Sequence, residues 1–149
     1  MRARQEGFTL LELIVVLIVL ALVAGLVGTR FVASRGNDFL ESTAHQFASR
    51  CRAVRAAAIR GGRQHVLLID LADRRVVADV DFRPLAIPAS ITIHAETSAR
   101  ERRSPSIAGI RFYPNGASSG GALTLEAEHR SYAVRVNWFT GRVIVERVS

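Results

Sequence analysis

The hydrophobic pattern of the chain changes character twice. From Phe8 to Gly28 it is apolar almost without a break, running Leu13-Ile14-Val15-Val16-Leu17-Ile18-Val19-Leu20 and on to Val27, with Glu12 near its start. At about 1.5 Å of rise per residue, a helix over this stretch is long enough to cross a hydrocarbon layer of roughly 30 Å. The pattern then becomes amphipathic. Leu40, Ala44, Phe47, Cys51, Val54 and Ala58 recur at three- and four-residue steps, and Arg50, Arg52, Arg55 and Arg60 fall largely on other faces. Gly36-Asn37-Asp38 offers a place to loosen or restart the helix, and Gly61-Gly62 a place to stop it. The pattern predicts one long helix from about Phe8 to about Arg60.

Beyond Arg63 the period falls to two. His65 to Leu71 reads as a strand, Ala72-Asp73-Arg74-Arg75 as a turn and Val76 to Val80 as the hairpin partner. Pro84 and Pro88 break pairing in the connection after Phe82. Ile91 to His94 reads as a short strand, Glu96 to Ser106 as a polar, Arg-rich loop, and Ile107 to Tyr113 as a strand. Pro114-Asn115-Gly116 is a turn in which Pro presets φ and Gly accepts a positive one. Ala117 to Gly121 extends it, with Ser118-Ser119-Gly120-Gly121 read as a mobile loop. Three strands follow: Ala122 to Ala127, Tyr132 to Asn137 and Arg142 to Val148, with Thr140-Gly141 closing the last hairpin.

Composition narrows this picture. At 149 residues, less an anchor, the chain has room for one modest domain. The single cysteine, Cys51, excludes an internal disulfide and a cysteine metal cage, and its place on the apolar helix face makes it a core residue. The formal charge is +7, and every basic residue is Arg. Arg2, Arg4 and Glu6 carry +1 of it, which leaves +6 on the side chains from Phe8 onward. Such a balance admits acidic proteins, anionic lipid or nucleic acid as partners.

The costly feature is Glu12. An ionisable acid in a membrane span costs about 2.5–3.5 kcal/mol on insertion scales, so it calls for an opposite charge. Upstream, an Arg-bearing leader, Met1 to Gly7, ends in Gly directly before Phe8. A secretory signal would have a shorter apolar region ending in an A-x-A-like site, where this chain has Leu22-Val23-Ala24. A plain single-span anchor requires neither Gly7 nor Glu12. Ala21 with Gly25, and Ala24 with Gly28, are spaced as in closely packed membrane helices, although Ala and Gly are common there.

Gly7-Phe8-Thr9-Leu10-Leu11-Glu12 resembles the processing motif of type IV prepilins and type II secretion pseudopilins. The stretch Ile110-Arg111-Phe112-Tyr113-Pro114-Asn115-Gly116, its small-residue loop and the closing Thr140-Gly141-Arg142 resemble the C-terminal half of the minor pseudopilin H family and the minor pilins of the FimT and FimU type. The resemblance implies an α+β, type IV pilin-like fold, with a long N-terminal helix, transmembrane in its first half, packed on antiparallel sheets in a sandwich-like head. It implies a leader at 1–7, a span and filament core at 8–28, an amphipathic continuation at 29–61 and a β-rich head at 62–149. A prepilin peptidase would cut between Gly7 and Phe8, the new amino group of Phe8 would be methylated, and Glu12 would meet that amine on a neighbouring subunit. The implied role is a subunit at or near the tip of a periplasmic pseudopilus that helps drive folded proteins across the outer membrane. The implied partners are the major pseudopilin and minor pseudopilins I, J and K. Positive flanks stay cytoplasmic, so Arg2 and Arg4 put the head across the membrane; with the resemblance, which implies a Gram-negative cell, that is an inner-membrane anchor with the head in the periplasm. Arg30 and Arg35 run against that rule, which leaves the leader and a dedicated export route to fix the orientation.

No enzyme is expected. His45, His65, His94 and His129 lack metal-ligand spacing, no Gly-x-Ser-x-Gly elbow is present, and no P-loop Lys follows Gly121. Asp70, Asp73, Asp79 and Asp81 read as solvated hairpin carboxylates, so neither metal nor cofactor is expected. The alternative function rests on arginines. Arg100, Arg102 and Arg103 share a loop, while Arg130, Arg135, Arg142 and Arg147 lie in the last hairpin. These are candidate contacts for a protein partner or, as in some FimT-type minor pilins, for DNA phosphates. Only Trp138 and Phe139 are available to stack on bases.

Overall fold

In the computed structural model the described residues are 10–148, with side chains described outside 24–38. Among the described residues one α-helix, α1 (Leu10–Gly61), is followed by eight strands: β1 (His65–Asp70), β2 (Arg75–Ala78), β3 (Leu85–Ala86), β4 (Thr92–Thr97), β5 (Ile107–Phe112), β6 (Gly121–Ala127), β7 (Arg130–Val136) and β8 (Val143–Val148). The chain divides into two compact units, 1–35 and 36–149, and α1 contributes to both. The helix runs through Gly36-Asn37-Asp38 without a break. Gly7, Phe8 and the leader lie outside the described residues, as do the side chains of the Ala24–Gly28 step, Arg30 and Arg35.

In the first unit, the residues from Leu10 to Val23 are exposed on every face of α1, from Leu10 at 79 % to Val23 at 53 %. Among the described residues no helix is long and apolar enough to cross a membrane. The described apolar part, Leu10 to Val23, is shorter than the roughly 20 residues a span takes.

In the second unit, two antiparallel sheets form, in the orders β3-β2-β1-β5 and β4-β6-β7-β8. One core unites them with the helix. Leu40, Phe47, Cys51 and Val54 of α1, Leu67, Ile69 and Ile110 of the first sheet, and Leu123, Leu125 and Val134 of the second are all fully buried. The helical stripe expected from the sequence therefore faces the core, and the strands bury alternate residues against it. Burial pushes the Cys51 thiol up to about 12, with neighbouring Arg52 opposing.

Three expectations need correction. The segment between Pro84 and Pro88 does pair: β3 joins β2 through Arg75–Ala86 and Val76–Leu85. The buried side chains of Leu85 and Ile87 draw it onto the core, and the prolines stand outside the two paired residues, where no ladder bond is lost. Arg74 holds the return by donating to the carbonyls of Ile87, Pro88 and Ile91. The Arg-rich stretch after Glu96 is not all loop. β4 continues to Thr97, paired with β6 as far as Gly121, and Ala99–Glu101 forms a 3-10 turn. Finally, the Ser118–Gly121 loop is tied down rather than mobile. Ser118 is 5 % exposed, its Oγ donates to the Asn137 carbonyl at 3.0 Å, and the Ser119 amide donates to the Arg111 carbonyl at 2.8 Å.

Candidate assembly interface

The turn at Pro114-Asn115-Gly116 forms as the sequence predicts. The Gly116 amide donates to the Tyr113 carbonyl at 2.9 Å, and Gly116 takes φ +85°. The closing turn is organised by Asn137. Its Oδ1 accepts from the amides of Phe139 and Thr140 and from the Thr140 hydroxyl, at 2.9–3.0 Å. That geometry turns Trp138 and Phe139 outward. They stand 67 % and 71 % exposed, with their rings edge to face and centroids 5.6 Å apart. Large aromatic residues in the open cost apolar hydration and are commonest where another surface covers them.

The two turns are locked together by α1. Arg55 donates from Nε to the Gly116 carbonyl and from Nη2 to the Thr140 carbonyl, both at 2.9 Å. Arg52 donates from Nη2 to the Val143 carbonyl at 3.3 Å. The Ser118 amide donates to the Trp138 carbonyl at 2.9 Å, which closes the seam between the loops. Sequence reasoning placed Arg52 and Arg55 on the polar side of the helix and missed this role. The available signal was their position beside Cys51 and Val54, at the edge of the buried stripe.

The candidate arginines do not converge. Arg100, Arg102, Arg103, Arg130 and Arg142 are all exposed. Arg130 begins β7, whereas Arg142 directly precedes β8, opposite the far end of β7, where Val136 pairs with Val143. At about 3.3 Å per residue this separates them by roughly 20 Å. Arg135 pairs with Glu146 at 3.4 Å. One arginine of this region that the sequence left unassigned is structural: Arg111 grips the buried Glu101 from Nε at 2.8 Å and from Nη2 at 3.1 Å. Those hydrogen bonds push the Arg111 guanidinium above its ordinary value. Asp79 is likewise structural, with its Oδ1 3.0 Å from Nδ1 of buried His65 and accepting from the Val66 amide at 3.1 Å. Among the described residues no group of His, Cys, Asp or Glu gathers as a metal site.

An open groove of about 610 Å³ runs along the outer face of the second sheet, with Trp138, Arg135, Arg142 and Ile144 among its walls. In the other unit, Glu12 lies in the first described turn of α1, among exposed apolar residues. The protein thus presents an apolar helix surface and, on its head, a closing turn with exposed aromatics and arginines.

A long helix packed on two antiparallel sheets, with these linked C-terminal turns, defines the pilin-like class. The fold is similar to that of the minor pseudopilin EpsH from the type 2 secretion system of Vibrio cholerae, with TM-score 0.58 and 13 % identity over 72 % of this chain and 96 % of that one. It is also similar to the type IV minor pilin FimU of Pseudomonas aeruginosa, with TM-score 0.55 and 13 % identity over 74 % and 90 % of the two chains. Residues 2–28 match the prokaryotic N-terminal methylation motif. Residues 43–141 match the family described as type II transport protein GspH. A relative from Xanthomonas campestris pv. campestris, the type II secretion system protein H, is 31 % identical over 143 residues, which cover 95 % of this chain and 83 % of the relative. The chain belongs to the GspH family of type II transport proteins.

Proposed function

We propose that this protein is a minor pseudopilin of a type II secretion system, placed at or near the tip of a periplasmic pseudopilus that helps drive folded proteins across the outer membrane. The observation that carries this reading is the presence of the methylation motif at 2–28 and the GspH match at 43–141 on one chain. Prepilin peptidase cuts between Gly7 and Phe8, and Phe8 is then methylated. The apolar helix from Phe8 to Gly28 anchors the chain in the inner membrane with its head in the periplasm. In the filament the carboxylate of Glu12 meets the Phe8 amine of a neighbour, an opposite charge that offsets the cost of holding an acid away from water. The partners are the major pseudopilin and minor pseudopilins I, J and K. The protein is the substrate of one enzyme and catalyses nothing itself.

The second reading, a minor pilin in pilus assembly or DNA uptake, draws on the fold shared with FimU and on the exposed arginines. Removing the gene from its bacterium separates the two. The secretion reading expects exoproteins to accumulate in the periplasm while transformation and pilus-dependent motility continue. Normal secretion with lost transformation overturns it in favour of the pilus reading.

A further inference from the structure

A pocket of about 500 Å³ lies between the last turns of α1 and the closing turn, lined by Arg52, Arg55, Ile59, Thr140, Arg142 and Val143, among others. Three arginines line it, and no acidic side chain is among the described residues that do. None of the ion pairs among the described residues engages Arg52, Arg55 or Arg142. Two of the three forks are already aimed: Arg55 by the Gly116 and Thr140 carbonyls, Arg52 by the Val143 carbonyl. Each guanidinium has five N–H donors, so these bonds hold the groups in place and leave donors over. Arginines fixed in advance lose little freedom when a ligand binds, and a carboxylate accepts two parallel N–H bonds from one such fork.

We infer that this pocket is a receptor for a carboxylate carried on a segment of another pilin-like subunit. The inference rests on the secretion reading above and adds the surface and the chemistry of the contact. Charge complementarity names the carboxylate, since three arginines line the pocket and no acidic side chain does. The apolar rim names a protein rather than a nucleic acid. Ile59 is 45 % exposed, and Phe139, next to Thr140 in the closing turn, is 71 % exposed. Arginine beside exposed aromatic and aliphatic groups is the composition of a protein-interface centre, whereas surfaces that bind DNA are more polar and extended. The arginines singled out elsewhere in the sequence, Arg100, Arg102, Arg103 and Arg130, do not line this pocket.

The test uses the full-length protein in detergent micelles. Its binding to the purified major pseudopilin, to minor pseudopilins I, J and K, and to a short DNA duplex is measured for the wild type, Arg52→Gln, Arg142→Gln and a control, Arg83→Gln. Arg52, Arg83 and Arg142 are exposed, and thermal unfolding checks that each variant folds. One pseudopilin is expected to bind, to lose roughly tenfold or more in affinity with Arg52→Gln and with Arg142→Gln, and to be unaffected by Arg83→Gln. Neutralising an acidic residue of that partner is then expected to produce the same loss, without adding to that of Arg142→Gln. A pseudopilin that binds all variants equally overturns the pocket and leaves the secretion reading standing. Binding to none of the pseudopilins overturns both. Retention of the duplex, lost with the same two substitutions, assigns the pocket to nucleic acid and overturns the carboxylate.

Discussion

Arg55 donates from Nε to the carbonyl oxygen of Gly116 at 2.9 Å, across 61 positions of sequence. Its Nη2 reaches Thr140 from the same side chain. One residue of the helix thereby fixes the separation of the two turns that shape the C-terminal end of the head. Hydrogen bonds from a charged donor contribute about 1.5–3 kcal/mol each, less where water competes, as it does at half-buried Arg55. Arg55→Met keeps the stem and removes both bonds. We expect a loss of about 2 kcal/mol, measured by urea unfolding of the full chain in detergent, with the fold retained.

Gly141 sits at the tightest point of this arrangement. It takes φ +63°, and a Cβ there would run into the Gly116 carbonyl and the Arg55 stem. Gly62 takes φ +61°, with nothing within 4 Å of a Cβ. The two therefore separate backbone strain from collision. Gly62→Ala is expected to cost about 1 kcal/mol, from the left-handed conformation alone. Gly141→Ala is expected to cost at least about 3 kcal/mol in the same unfolding measurement, because the turns must also move apart.

Glu101 is 8 % exposed and is held by two hydrogen bonds from Arg111. Gly109 lies beneath it, where a Cβ would stand 2.9 Å from the Glu101 carbonyl oxygen. Removing the carboxylate leaves a partly buried cation without its partner. Glu101→Ala is expected to destabilise by about 2–4 kcal/mol, and Glu101→Ala with Arg111→Met by less than the two single changes added together. Thermal unfolding of the three variants measures the coupling.

Cys51 predicts an alkaline effect. Its thiol rises from 9.0 to about 12 in the fold because the thiolate would be buried. The unfolded chain therefore releases this proton first as pH rises. The stabilisation is complete below pH 9 and is lost between about pH 9 and pH 12. In practice the folded protein should resist iodoacetamide at pH 8.5 and react once urea unfolds it. Mass spectrometry reads the adduct directly.

The sequence made the periodic parts of the fold legible. The stripe from Leu40 to Ala58 reports a face that the structure buries, and the alternation of Tyr132, Val134 and Val136 reports the inner side of β7. Both patterns carry the signature of burial itself. β3 was hidden because two residues have no period, and its flanking prolines argue against a strand. The Glu101–Arg111 pair was hidden because charge is visible in a sequence and distance is not. Glu101 stood among Arg100, Arg102 and Arg103, which gave the whole stretch the look of solvent. Arg55 was hidden for a related reason: its acceptors are backbone carbonyls, which every residue has. The candidate interface depends on those contacts between distant parts of the chain, so only its turn motifs and exposed arginines could be anticipated.

Glu12 tests the filament reading most sharply. It stands in the first described turn of the helix, amid side chains such as Leu10, Leu11 and Leu13 that are 79 %, 73 % and 58 % exposed. Within a membrane, replacing an ionisable acid by an apolar residue removes an insertion cost of about 2.5–3.5 kcal/mol. Glu12→Val is therefore expected to reach the membrane fraction at least as well as the wild type. If the carboxylate meets a neighbour's Phe8 amine, the same change removes the attraction that sets the axial position of one subunit against the next. Incorporation into sheared pseudopili is then expected to fall, and Glu12→Gln, which keeps the shape and loses the charge, is expected to fall with it. Leader removal, read by the mass of the mature chain, is expected to stay normal in both variants and to stop when Gly7 is made bulky. Full incorporation of Glu12→Val would remove the proposed pairing, while an intact leader on the wild-type chain would remove the cleavage between Gly7 and Phe8 on which that pairing depends.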